Sequence, residues 1–173
     1  MKKTLLFGLI ALSGLLIAGC LVTGQVTIIE DVDIGVTSNS NIGKFHLNLN
    51  ENEDYADKID KIKSIDAVSF VARIWNREDS ASTAAIYISS SGSYSTVDQI
   101  EDNAIKVLET PPVPANNSIL IGWNDSYQYM HNLDSLFRYV KDVGEFYVYA
   151  IASPVPFDDS IQAQIVITMT VGN

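Results

Sequence analysis

Apolar residues occupy every second position from Ile161 through Ala163, Ile165, Ile167 and Met169 to Val171, against Gln162, Gln164, Thr168 and Thr170. A period of two puts successive side chains on opposite faces of an extended backbone, so this segment reads as a strand with one face buried. The same reading applies to Phe45, Leu47 and Leu49, to Val68 through Ile74, and to Phe146, Val148, Ala150 and Ala152. Val26–Val36, Ala84–Ser89, Ala104–Leu108 and Ser118–Trp123 add β-rich runs bounded by turn residues. Prolines 111, 112 and 114 mark an extended connection, because proline suits neither a helix interior nor a central strand.

Two helices interrupt the pattern. Asn and acidic residues before Tyr55, Ile59 and Ile62 predict a short helix over 53–63. The stripe Leu133, Leu136, Phe137 and Val140, with Asn132 as its expected cap and Gly144 as its stop, predicts a second. Residues 96–103 are ambiguous, with Thr96 and Gln99 spaced as a capping box. Eight or nine strands with frequent turns and two short helices predict an antiparallel β-sandwich, Greek-key/Ig-like or jelly-roll-like, with the helices over its open ends or one edge. Two helices and the lack of aromatic girdles argue against a membrane barrel.

The N-terminus has a different character. Lys2 and Lys3 precede an uncharged apolar stretch from Thr4 to Ile17, which ends in Ile17-Ala18-Gly19-Cys20. A basic start, a short apolar run and small residues before a cysteine form a secretory signal rather than a permanent span. The motif resembles the lipobox of bacterial lipoproteins. That resemblance implies a signal peptide over 1–19, diacylglycerol on the Cys20 sulfur, a short tether over 20–24 and one domain over 25–173. It also implies a location at the cell envelope outside the cytoplasm, with the membrane contacted through the lipid. Leu21 after the cysteine is compatible with the outer membrane in a host that has one. Several acyl chains hold a protein stably, at about 0.8 kcal/mol per buried CH₂. The mature domain further resembles a group of secreted β-sandwich lipoproteins of uncharacterised activity, in Asn52-Glu53-Asp54 through Ile65 and in Gly144-Glu145-Phe146-Tyr147-Val148-Tyr149; this implies a fold and no function.

Cys20 is the only cysteine, so a lipidated chain keeps no thiol for a disulfide, a zinc cluster or a nucleophile. The size of the remainder suits a single core without such staples. The chain carries 21 acidic against 11 basic residues, a net charge of −10, and two of the lysines fall in the signal. Such a surface repels nucleic acid and anionic headgroups.

No catalytic constellation emerges. There is no Gly-x-Ser-x-Gly elbow, and His46 and His131 lack ligand spacing. Carboxylates gather at Glu30/Asp31/Asp33, Glu51/Glu53/Asp54/Asp57 and Asp158/Asp159. Asp31 and Asp33 share one strand face and form a weak candidate for calcium, although the segment lacks the third oxygen ligand and closing Glu of an EF-hand. No other cofactor is expected. The aromatic residues Trp123, Tyr127 and Tyr129, with Asn124 beside them, form a candidate surface for a sugar or a protein loop. Trp75 and the Tyr147/Tyr149 pair are further aromatic candidates. The expectation is therefore a non-enzymatic interaction or structural module, its partner an envelope protein or a polysaccharide. The alternatives are a carbohydrate-binding module on the Trp123–Tyr129 region and, less favoured, an envelope hydrolase.

Overall fold

The computed structural model describes residues 23–36, 41–154 and 158–172; the signal, the lipobox and Cys20 lie outside these. Eight strands form two four-stranded antiparallel sheets. They are β1 (Thr23–Val36), β2 (Ile42–Asn48), β3 (Ile62–Asn76), β4 (Thr83–Ser89), β5 (Ile105–Glu109), β6 (Asn117–Ile121), β7 (Glu145–Ser153) and β8 (Asp159–Gly172). Sheet A runs β1-β8-β3-β6 and sheet B runs β2-β7-β4-β5.

The pairings are nested. β1 pairs with β8, β2 with β7, β3 with β6 and β4 with β5. A long hairpin folded back across two sheets gives this order, which is that of an eight-stranded jelly roll. Within the sandwich class read from the sequence, the strand order selects the jelly roll.

Alternation sets the core. Ile161, Ile167 and Met169 of β8 meet Val68, Phe70 and Ile74 of β3 from one sheet, and Phe146, Val148 and Ile88 from the other; all are buried. Between the sheets lies an apolar cavity of about 130 Å³.

The helices are α1 (Glu53–Ala56), α2 (Val97–Asn103), α3 (Trp123–Ser126) and α4 (Leu133–Arg138), the last continuing as a wide π-type turn over Tyr139–Val143. α1 and α4 close one end of the sandwich. Tyr55 is fully buried there, and its hydroxyl donates to the Val140 carbonyl. Leu49 N donates to Gly144 O at 2.8 Å, and Gly144 takes the left-handed conformation (φ 70°) that its stop position requires.

Four local expectations change. The helix expected over 53–63 lasts only one turn, followed by a 3-10 turn over Ile59–Lys61, and Ile62 already opens β3. The spacing of Tyr55, Ile59 and Ile62 is met by a wrapping turn, since Ile62 gains more by joining the sheet core. Leu49 leaves its strand for a 3-10 turn and is buried. Trp123 opens α3 rather than closing β6. Asn132 sits at φ 49° and makes no cap; its Nδ2 donates to Lys106 O at 2.8 Å instead. The ambiguous 96–103 segment is α2, where Thr96 Oγ1 accepts from Gln99 N and Gln99 Oε1 accepts from Ser95 N. Among the described residues no helix is long and apolar enough to cross a membrane.

Candidate ligand-binding face

Part of the outward side of sheet A is exposed to solvent, beyond the buried pair Ser69 and Val166. In β8 the residues there include Gln162 and Gln164, in β3 Val71, Arg73 and Trp75, in β1 Asp31 and Asp33, and in β6 Leu120. Register places them in rows. Asp33 lies opposite Gln162, Gln162 opposite Arg73, and Arg73 opposite Leu120. Asp31 lies opposite Gln164, and Gln164 opposite Val71. A shallow, open depression of about 470 Å³ follows these two rows across all four strands.

Neighbouring side chains hold one another in place. Gln164 Nε2 donates to Asp31 Oδ1 at 3.0 Å. The Arg73 guanidinium lies 5.7 Å from the centre of the Trp75 ring, within cation–π range. Leu120 is 62% exposed, an apolar side chain left in water at the end of its row. Further along the same face Asp66 accepts from Ser64, Thr170 and Gln25, and these hydrogen bonds, led by Ser64, hold its carboxyl below the usual aspartate range.

The aromatic turn stands at the β6 side of this sheet. α3 is tied to β3 through Ser126, whose Oγ donates to Trp123 O at 2.8 Å and accepts from Phe70 N at 3.4 Å. Trp123 and Tyr127, four residues apart and so on one side of a helical turn, are each 39% exposed. Asn124 is exposed beside them. Tyr129 parts from this group: it is half-buried and packs against the core around Phe70, Val113 and Ile121. Trp75 belongs to the sheet A face. Tyr149 is fully buried and Tyr147 half-buried, both within the outer layer of sheet B.

The acidic candidates divide between two surfaces. Asp31 and Asp33 do share one face, as β alternation requires, and they also border a polar depression of about 590 Å³ between the edge strands β1 and β2. There Asn52 Nδ2 donates to Glu30 Oε2 at 3.0 Å, and His46 lies 3.6 Å from Glu145 with its ring 4.7 Å from that of Tyr147. His131 is on a separate element, its backbone N donating to Val107 O. Among the described residues no three His, Cys, Asp or Glu side chains gather closely enough to hold a metal ion. Apolar side chains make up nearly all of the wall of the interior cavity, Ser69 and Thr110 being its polar members.

One member of the Asp158/Asp159 carboxylate pair is buried, which the sequence reading did not anticipate. Asp159 opens β8, is only 4% exposed, and accepts from Ser82 Oγ at 2.7 Å through Oδ2, while Oδ1 has no partner among the described residues. Burial pushes its carboxyl above the usual range. Asn76, opposite it in register, donates to Val113 O and Ser80 O, so this end of the sandwich is knotted by polar side chains. The sequence shows Asp158-Asp159 as an ordinary exposed pair; only the register reveals that Asp159 turns inward. Gln162, Gln164 and Arg73 were visible as the polar positions of alternating strands, but which strands share their face was not.

No family model and no curated protein matches the chain. Among solved structures it is similar to Desmodium yellow mottle tymovirus, at 10% identity and a TM-score of 0.32, over 87% of this chain and 90% of that one. A chain of Mud crab tombus-like virus matches at 11% identity and a TM-score of 0.41, over 88% and 82%. A chain of the Bacillus endospore appendages matches at 11% identity and a TM-score of 0.31, over 87% and 91%. At these scores the likenesses carry no argument about the face, and the jelly roll rests on the strand order itself.

Proposed function

We propose that this chain is a lipid-anchored protein of the cell envelope, held by acyl chains on Cys20, and that its sandwich is a non-enzymatic interaction module working through the outer face of sheet A. The observation that carries the reading is the contrast in cover. Four strands present carboxylate, amide, guanidinium and apolar groups to solvent on that face, whereas helix and loop close over the other sheet. A shallow field suits holding a partner, while catalysis favours an enclosed pocket where convergent groups act away from water. The lipobox Ile17-Ala18-Gly19-Cys20 supports the anchor, and β1 begins at Thr23, which would seat the sandwich close to the membrane.

Mass spectrometry of protein from native cells tests the anchor, the expected result being an acylated N-terminal Cys20. Cys20→Ser should leave the protein unacylated with its apolar signal uncleaved, seen as a heavier, acyl-free precursor. Capture from envelope extracts tests the module: the wild type retains a defined partner and Arg73→Ala weakens that retention. An unmodified, unprocessed N-terminus contradicts the first half, and retention indifferent to the face contradicts the second.

A further inference from the structure

The row Asp33–Gln162–Arg73–Leu120 presents an acceptor, an amide that both donates and accepts, a donor and an apolar side chain on four successive strands. Adjacent strands lie about 4.8 Å apart, so the row offers a new group at each such step. Sugar hydroxyls both donate and accept, and vicinal pairs of them match planar carboxylate, amide and guanidinium groups. The C–H faces of sugar rings match exposed Leu120 and the ring of Trp75. The contact between Arg73 and Trp75 restrains both side chains before a ligand arrives, which lowers the ordering cost of binding.

Building on the interaction module above, we propose that its partner is a neutral polysaccharide lying across the strands of sheet A along this row, with a sugar ring against Trp75 or Leu120. A protein partner fits less well, because the desolvated centre of a protein interface is depleted in charged residues, whereas charged Arg73 stands on the inner strand β3 of this face, with Asp31 and Asp33 along its β1 edge. Anionic polymers are disfavoured by the net charge of −10.

The test is native gel electrophoresis of the full-length protein in nonionic detergent, through gels containing a β-1,3-glucan, hydroxyethyl cellulose, mannan or starch, with alginate as the anionic control. At least one neutral polymer should retard the protein and alginate should not. Trp75→Ala and Arg73→Ala should each raise the apparent dissociation constant about ten-fold, and Leu120→Ala by a smaller factor. Circular dichroism checks that each variant is folded, and exposed Leu120 and Gln162 provide substitutions that leave the core intact. Absence of retardation by every neutral polymer overturns the proposal, as does retardation that these variants do not weaken. Loss in Trp123→Ala and Tyr127→Ala with full retention in Trp75→Ala also overturns it, moving the site to the helical turn. If the gels fail while envelope extracts yield a protein partner sensitive to Arg73→Ala, the interaction module survives and only the glycan is lost.

Discussion

The two sheets are built by the same alternation, yet their outer faces have opposite fates. On sheet B the outward positions include Tyr87, opposite Tyr149, and Ile151, opposite Ala85. These apolar groups need cover, and the chain supplies it: Ile100 of α2 is fully buried against them, and Tyr94 stacks near Tyr149 with ring centres 5.6 Å apart. Tyr149 donates its hydroxyl to Ser91 O at 2.8 Å and accepts from Tyr94 N at 3.3 Å, so the Ser90–Thr96 loop is bonded to the sheet. Burial pushes the phenols of Tyr87 and Tyr149 upward from their usual range. Sheet A places Gln162, Gln164, Thr168, Thr170 and Arg73 at the equivalent positions, and Gln162, Gln164 and Arg73 are exposed to solvent. A jelly roll can thus turn either sheet outward, and outward side-chain chemistry decides which one remains available to a partner.

The sharpest test of this contrast is a pair of truncations. Ile100→Ala removes the residue that seals sheet B and should cost about 2–5 kcal/mol in urea unfolding, while Leu120→Ala on sheet A should stay within about 0.5 kcal/mol. Similar losses from both would mean that sheet A is covered too. A smaller effect is expected at Gly92, where an added Cβ would lie 2.5 Å from the Tyr147 ring. Gly92→Ala should push that ring outward and destabilise by about 1–2 kcal/mol, as overpacking does, with a change in near-ultraviolet circular dichroism. An unchanged spectrum would mean that the loop does not rest on the ring.

The smallest effects separate two aspartates by pH. Hydrogen bonds on the sheet A surface lower the pKa of Asp66. Its contribution is therefore present above the usual aspartate range and lost as pH falls through its folded value. Asp159 is raised by burial. Its contribution is full below the usual range and lost as pH rises through its folded value. Asp66→Asn should flatten the acid decline in stability, and Asp159→Asn should remove a decline on the other side of that range. Slopes that move in the same direction for both variants would contradict the assigned environments.

Much of the frame was legible in the residues, and the reason is local. Ile161–Val171 and Phe146–Ala152 alternate because each strand turns one face to the core between the sheets; those apolar positions are buried except for half-buried Ala163, Ile165 and Val171, while Tyr149 and Val166 are buried on the opposite face. Gly144 could be read because a left-handed helix stop is a local backbone requirement. What could not be read depends on distant partners. Thr23 pairs with Gly172 across nearly the whole chain, and no local pattern specifies that choice. The helix expected over 53–63 failed for the same reason, since Ile62 is claimed by β3 and its neighbour β8. The site was half legible: Asp31, Asp33 and Trp75 were in view, but Gln162, Gln164, Arg73 and Leu120 join them only through register.

Hydroxyl-radical footprinting compares the protein in native envelopes with the purified, detergent-solubilised chain and so addresses the open face whatever its partner is. The account predicts reduced oxidation at Trp75 and Leu120 in the envelope, with Tyr149 and Ile100 equally protected in both samples. Equal labelling of Trp75 and Leu120 in both samples, or new protection over α2 instead, would contradict it.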